Sequence, residues 1–574
     1  MNRTKKLLFT LLSLVFVFGM FTVSASAATY EINKQKLEIQ TEGDWQYVIL
    51  TEASLTEGDK EIGVKAGEAY TIKYTGTAAS VNVPEKLGGA GVAYVGYQTF
   101  KGNKAVQTVT IGTSVKYISA EAFMDCSGLQ QVLINANVRS INNNAFKNCT
   151  ALKTVTFHKN IKLTNINEGA FENCTSLNNF KVPATVTTIG NYAFWNCDSM
   201  TEIKIPDSVT SLGAAAFFNC DSLIDVVIGN GVASLSTGKH SNKSGNWGTD
   251  GYYCEGTFEG CISMQNVIIG ESVKTIGQDC FAGTAVVSVI IPECVEDIGP
   301  GTFKNCANLK KAVIGNGTKN VGEAAFENCD SLTDISIGKG VSSLGKYVFW
   351  DCDALRQIDI PSNVMELGAG AFFRCDKLEE VVTGNGIKEL STSQRSYREG
   401  NWGSDGYYRD GTFEGCVSLK KITLGSGIKK IGLDCFSGTA ITEIIIPDNV
   451  VTIDKGAFMN SDALEKIVIG NGVTSLGESV FEDCDKLKDV KIGTGVVSIG
   501  IYAFWDCDGL EHISIPSNVT SLGAGAFFRC DNLESVVIGN GVTHLSTSQR
   551  TYREGNWGID GYYRDGVFEG CVKL

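Results

Sequence analysis

Nineteen cysteines are the chain's largest stock of reactive side chains. Three chemistries compete for them: disulfides, a metal site, or plain packing. Fifteen occupy one register of a short repeat, from Cys126 and Cys149 through to Cys530 and Cys571. Copies stacked in neighbouring turns lie about 4.8 Å apart and point in parallel. A disulfide needs Cβ atoms converging to about 3.8 Å. The register therefore predicts a column of small buried thiols, and Thr284, Thr439 and Ser461 fill the same place in three turns. Cys280 and Cys435 directly precede a register Phe and are expected to be buried too. Cys254 and Cys294 fall outside the register and are expected at the surface. A metal site needs Cys and His clustered at ligand spacing. His158, His240, His512 and His544 are scattered, so neither a metal nor a cofactor is expected.

The second stock is aromatic. Three inserts carry Trp247 with Tyr252 and Tyr253, Trp402 with Tyr407 and Tyr408, and Trp557 with Tyr562 and Tyr563. Their copies are 155 residues apart. Trp195, Trp350 and Trp505 follow a register Phe in one turn, and Phe218, Phe373 and Phe528 follow it in the next. Stacking therefore sets a Trp, a Phe and a Trp-Tyr-Tyr loop on one flank, three times over. Such a flank offers a platform for sugar rings or partner side chains, with Asp250, Asp405 and Asp560 as acceptors. The plainer reading folds the insert aromatics down as a local satellite core.

Acid–base or calcium chemistry has less support. Asp405, Asp410 and Glu414 are near one another in sequence, but Asp410 is replaced by Glu255 in the first copy, and nothing fixes their geometry. The chain has no Gly-x-Ser-x-Gly, no His-Glu-x-x-His and no phosphate loop. No enzyme is expected from these residues.

These side chains are positioned by a repeat. The stretch from Ile203 to Cys220, IKIPDSVTSLGAAAFFNC, recurs with its Phe at 19 positions from Phe100 to Phe568, mostly 23 residues apart. A fixed period of 20–29 residues with Leu or Ile at set places marks a leucine-rich solenoid. Within one turn Met200, Ile203 and Ile205 are expected inside, with Glu202 and Lys204 outside. Val209 and Leu212 dip in on the return side. Gly213 allows a tight bend, and a helical turn or irregular loop then plants Phe217 in the core. Seven of the eight prolines follow the last apolar residue of a short run, where Pro ends a strand. Outward strand positions predict apolar stripes: Val227, Ile268, Ile290 and Val313, then Val382, Thr423, Ile445 and Val468. Ser336–Asp359 and Lys491–Ser514 interrupt them.

Residues 1–27 read as a secretory leader. Arg3, Lys5 and Lys6 precede an apolar run from Leu7 to Phe21, and Ala25-Ser26-Ala27 supplies the cleavage pattern. The run is short for a membrane span, so an exported chain without a span in its mature part is expected. Residues 28–76 alternate apolar and polar residues without the repeat and read as a small β-rich cap. Residues 77–574 read as the solenoid, with inserts near 236–256, 391–411 and 546–566. The net charge of −14 makes nucleic acid or an anionic membrane a poor partner.

The pattern Ile-x-Ile-Pro-x-x-Val-x-x-Ile/Leu-Gly-x-x-Ala-Phe-x-x-Cys-x-x-Leu, from about Thr77 to Leu574, resembles the BspA-like leucine-rich repeat family of bacterial surface and secreted proteins. The resemblance implies an α/β-type, curved right-handed coil of about 19 turns with a parallel concave sheet. It also implies an extracellular or cell-surface setting and roles in adhesion or ligand binding, with no catalytic residues to carry over. The three inserts depart from the family pattern. The expected function is a binding or adhesion protein engaging proteins or glycans through its sheet and aromatic loops. The alternative is a passive scaffold whose functional domain lies beyond Leu574, since the chain stops one residue into its next strand. A glycan-active enzyme using the insert carboxylates is the third reading.

Overall fold

A computed structural model describes residues 28–61, 63–235, 256–391, 411–545 and 566–574. The three aromatic inserts, Cys254 and the expected leader lie outside the described residues. The described chain is a parallel-strand solenoid of about 19 turns with almost no helix. Most turns contribute one strand of two to four residues to each of two sheet faces. The alternation is visible in Glu202–Ile205, where Ile203 and Ile205 are buried and Glu202 and Lys204 exposed. Two compact units divide the chain.

In the first unit, Thr29–Ile32 and Gln35–Glu38 form an antiparallel hairpin. Gln40–Glu42, Trp45–Ile49 and Ala69–Tyr74 pair antiparallel. Ala69–Tyr74 then pairs parallel with Ala90–Val95, and the ladder continues parallel through Tyr117–Ile118 to Ser211–Leu212. The opposite face runs through Ser80–Asn82, Thr108–Thr110, Gln131–Ile134 and Thr154–Phe157, all parallel and in register. In the second unit the same two faces recur. Ser288–Ile291, Lys311–Ile314 and Asp334–Ser336 form one stretch of the longer-strand face.

The register phenylalanines stack into columns, as like residues in a parallel ladder must. From Phe281 to Phe568 every consecutive pair is stacked, with Phe326 5.3 Å from Phe303 and 5.6 Å from Phe349 between ring centroids. The Phe segment is a run of turns, not helix. The residue two places after the Phe adopts positive φ: Asn196 (54°), Asn328 (56°), Asp351 (56°). Asn and Asp tolerate this left-handed conformation best among residues with a side chain, and it stops a helix from propagating. The ladder nevertheless runs on, because Phe303 N–H donates to Ala325 O (2.7 Å) and Phe326 N–H to Val348 O (2.9 Å). In the first unit the left-handed residues also link side chain to side chain. Asn148, Asn173 and Asn196 each donate Nδ2 to Oδ1 of the residue one turn earlier, at 2.8 Å, starting from Asp125.

All 18 described cysteines are free thiols, and 16 are buried, Cys280 and Cys435 among them. Cys294 is half-buried. The column is not purely apolar packing. Cys329 Sγ donates to Phe303 O at 3.2 Å and Cys352 Sγ to Phe326 O at 3.1 Å, each reaching the preceding turn's Phe carbonyl. Ser461 Oγ makes the same bond to Phe436 O at 3.0 Å. A small donor is what the place requires, which is why Ser can replace Cys there. Burial pushes the Cys306 thiol up to about 11 and Cys435 up to about 12, so these sulfurs are neutral and unreactive at neutral pH.

Candidate binding surfaces

The longer-strand face turns alternate side chains of its strands outward. In the first unit Val227 pairs with Lys204. In the second unit Ile290 pairs with Val313, and Val313 with Ser336. The pattern recurs as Val382 beside Thr423 and Ile445 beside Val468, which is followed by Lys491. Ile290 and Ile445 are each 71% exposed, and Ile268 63%. A lone exposed aliphatic needs no explanation, but a row of them in one register does. Ile268, Ile290, Val313 and Ser336 line a shallow groove of about 850 Å³.

The flanking positions carry charge in cancelling pairs. Lys311 meets Asp334 at 2.7 Å, Lys421 meets Glu380 at 2.5 Å, and Lys466 meets Asp489 at 3.2 Å. Exposed pairs of this kind add little stability. They leave the face beside the stripe nearly neutral, so contact there is governed by apolar burial rather than by long-range attraction.

The aromatic flank is present in three copies. Trp195 meets Phe218 edge-on at 5.8 Å and 81°, Trp350 meets Phe373 at 5.8 Å and 77°, and Trp505 meets Phe528 at 5.7 Å and 83°. Each indole also packs on a tyrosine three residues earlier: Tyr192, Tyr347 and Tyr502, at 5.5, 5.5 and 5.0 Å. Tyr192, Ala215 and Phe218 form a small core cluster with Trp195 against it. All three indoles keep part of their surface accessible. The tyrosines were not among the residues singled out from sequence, although they share the 155-residue spacing. One turn before two of the indoles lies a buried, lysine-paired glutamate: Glu172 with Lys147 at 2.8 Å and Glu327 with Lys304 at 3.6 Å. Trp247, Tyr252, Tyr253, Trp402, Tyr407, Tyr408, Trp557, Tyr562 and Tyr563 lie outside the described residues.

Beside this flank runs an acidic file that sequence reading also passed over. Asp330, Asp353 and Asp376 each follow a register Cys in consecutive turns. Burial raises Asp330 and Asp376 above the ordinary carboxylate range, and the negative charge of Asp353 adds to it, while Arg374 opposes the shift at Asp376. Each carboxyl is thus easier to protonate folded than unfolded. Its stabilising share is complete below the unfolded value of about 3.9 and is lost as pH rises through the raised folded value. The double variant Asp330→Asn/Asp376→Asn is expected to melt slightly above wild type at about pH 7, with the gap closing towards about pH 3. Thermal melts at both pH values read this, and a gap that ignores pH contradicts it.

Among the described residues no group of His, Cys, Asp and Glu could hold a metal ion. No helix there is long and apolar enough to cross a membrane.

The BspA type Leucine rich repeat region matches this chain in six copies, over residues 69–163, 160–245, 252–356, 274–397, 407–492 and 429–550. No curated protein matches it. Among solved structures, a leucine-rich repeat protein from Bacteroides ovatus ATCC 8483 is similar at 23% identity and a TM-score of 0.50. That match covers 80% of this chain and 94% of the other. A leucine rich cell surface protein from Faecalibacterium prausnitzii A2-165 is 21% identical, with a TM-score of 0.33, over 79% and 94% of the two chains. The pneumococcal vaccine antigen PcpA is 16% identical, with a TM-score of 0.30, over 89% and 99%. The likeness to the Bacteroides protein is one of fold.

Proposed function

The chain belongs to the BspA-type leucine-rich repeat family, and we propose that it is an exported, surface-acting binding protein with no catalytic step of its own. Its partner is a protein that lays an apolar patch along the longer-strand face. The observation that carries this reading is the pair of equivalent isoleucines, Ile290 and Ile445, each 71% exposed in the same register. Buried against a partner, each contributes on the order of 2 kcal/mol. The neutral, ion-paired flanks favour a protein surface over a polyanion. Residues 1–27 act as the leader, 28–76 as the cap and 77–574 as the solenoid in this reading. The aromatic flanks, completed by the inserts, serve as secondary platforms for sugar rings.

The test is an array of extracellular proteins probed with the wild-type chain and with Ile290→Asp/Ile445→Asp. Protein binding should fall by about 100-fold or more in the double variant while its melting temperature stays within about 2 °C. Protein hits that persist at wild-type strength would remove the sheet face from the reading. A glycan array with Trp247, Trp402 and Trp557 all changed to Ala tests the platforms, and undiminished glycan signal would remove them.

A further inference from the structure

The first unit holds a cavity of about 640 Å³ that the repeat surfaces do not use. Its size falls in the range of small-ligand pockets. Tyr70, Tyr94 and Tyr97 line it, with Asn33, Ser119 and Asn142 among its polar groups. It joins the N-terminal strands to the turns that carry Ser119 and Asn142, so several segments converge on one space.

The rings are held in place before any ligand arrives. Tyr70 and Tyr94 are nearly buried, with centroids 5.2 Å apart. Tyr97 N–H donates to the Tyr70 hydroxyl at 2.7 Å, and the Tyr94 hydroxyl donates to Asp59. Asp59 in turn accepts from Thr56 N–H and Oγ1, each at 2.7 Å. Tyr97 is half-buried, and its hydroxyl accepts from Gln98 Nε2 at 2.9 Å.

The lining chemistry selects a ligand class. Ring faces accept the C–H side of a ring-shaped ligand. Neutral amides and hydroxyls, which both give and take hydrogen bonds, match alternating hydroxyl groups. No Lys, Arg or His lines the cavity, and its one ionisable carboxylate is Asp59. An anion would find no counter-charge there and one repelling group. We propose that this cavity binds a neutral sugar, as a monosaccharide or the end of a neutral oligosaccharide, independently of the sheet face and the aromatic flanks.

Saturation-transfer NMR on the full chain tests this with glucose, galactose, N-acetylglucosamine and lactose, and with sialic acid as the anionic control. At least one neutral sugar should receive saturation, and sialic acid should not. Tyr97→Phe keeps the ring face and should bind within about threefold of wild type, whereas Tyr97→Ala should weaken binding about tenfold or more. Ala120 lies at the same cavity, half-buried. Ala120→Trp fills the space without removing a ring, and it should cut the signal clearly below wild type, leaving at most what the aromatic flanks bind, even if Tyr97→Ala fails to fold. Silence from every neutral sugar, equal transfer to sialic acid, or undiminished signal in a folded Ala120→Trp protein each overturns the proposal. None of these results bears on Ile290 and Ile445, so the two readings fail separately.

Discussion

Phe326→Ala is expected to destabilise the solenoid by about 3–5 kcal/mol. The ring has no exposed surface and stacks between Phe303 and Phe349. Removing it deletes both contacts and opens a void that the neighbours cannot fill, because each is pinned by backbone bonds to the turns beside it. Phe326 N–H itself donates to Val348 O, and Phe326 O receives the Cys352 thiol. A solenoid turn touches only its neighbours, so the loss is concentrated at one junction. Guanidinium unfolding should show the shift, and the transition should broaden as the halves on either side uncouple. Phe373→Ala, at a half-buried flank position, should cost clearly less. A loss under about 1 kcal/mol at Phe326 would contradict a continuous stacked core.

Gly345→Ala is the second large effect, at about 3 kcal/mol. Its φ is ordinary; the obstacle is space. A Cβ there would sit 2.5 Å from the Gly322 carbonyl carbon and 2.5 Å from Glu323 N. Gly322 stands in the same relation to Gly299 and Pro300, and Gly368 to Gly345. Backbone lies on backbone along this file, so an added methyl must push two turns apart. Gly102 supplies the contrast. It has φ +73° and open space around its Cβ, so Gly102→Ala should cost only about 1–2 kcal/mol, and Gly102→Asn less. Melting both alanine variants in parallel separates crowding from left-handed strain. Equal losses would show that space is not what fixes Gly345.

The repeat made much of this legible from residues alone. Phe and Cys recur in one register, and a parallel ladder has no choice but to set copies on copies. Inside and outside positions of Glu202–Ile205 follow from alternation, and so does the outward row of Ile290, Val313, Ile445 and Val468. What sequence missed depends on contacts between adjacent turns. The thiol's hydrogen bond to the previous Phe carbonyl is invisible to spacing, because spacing reports where a side chain stands and not what it faces. Tyr192, Tyr347 and Tyr502 share the long period but look like variants of a small-residue position until their rings are seen against the indoles. The acidic file is equally hidden, since each Asp alone is an ordinary surface residue and only stacking gathers them. The tyrosine cavity has no repeat to announce it, being assembled from segments outside one register.

The side-chain amides of Asn148, Asn173 and Asn196 form a one-way chain. Every link gives through nitrogen and takes through oxygen, and Asp125, which has only oxygens, can stand only at the receiving end. That polarity bears on chemical ageing. Hydrolysis of the Asn173 amide to an acid in the middle of the run would set two oxygens face to face towards Asn148 while leaving Asn196 served. A lesion at one residue would therefore part the strand of amides on one side only, and the molecule would wear asymmetrically about the damaged rung.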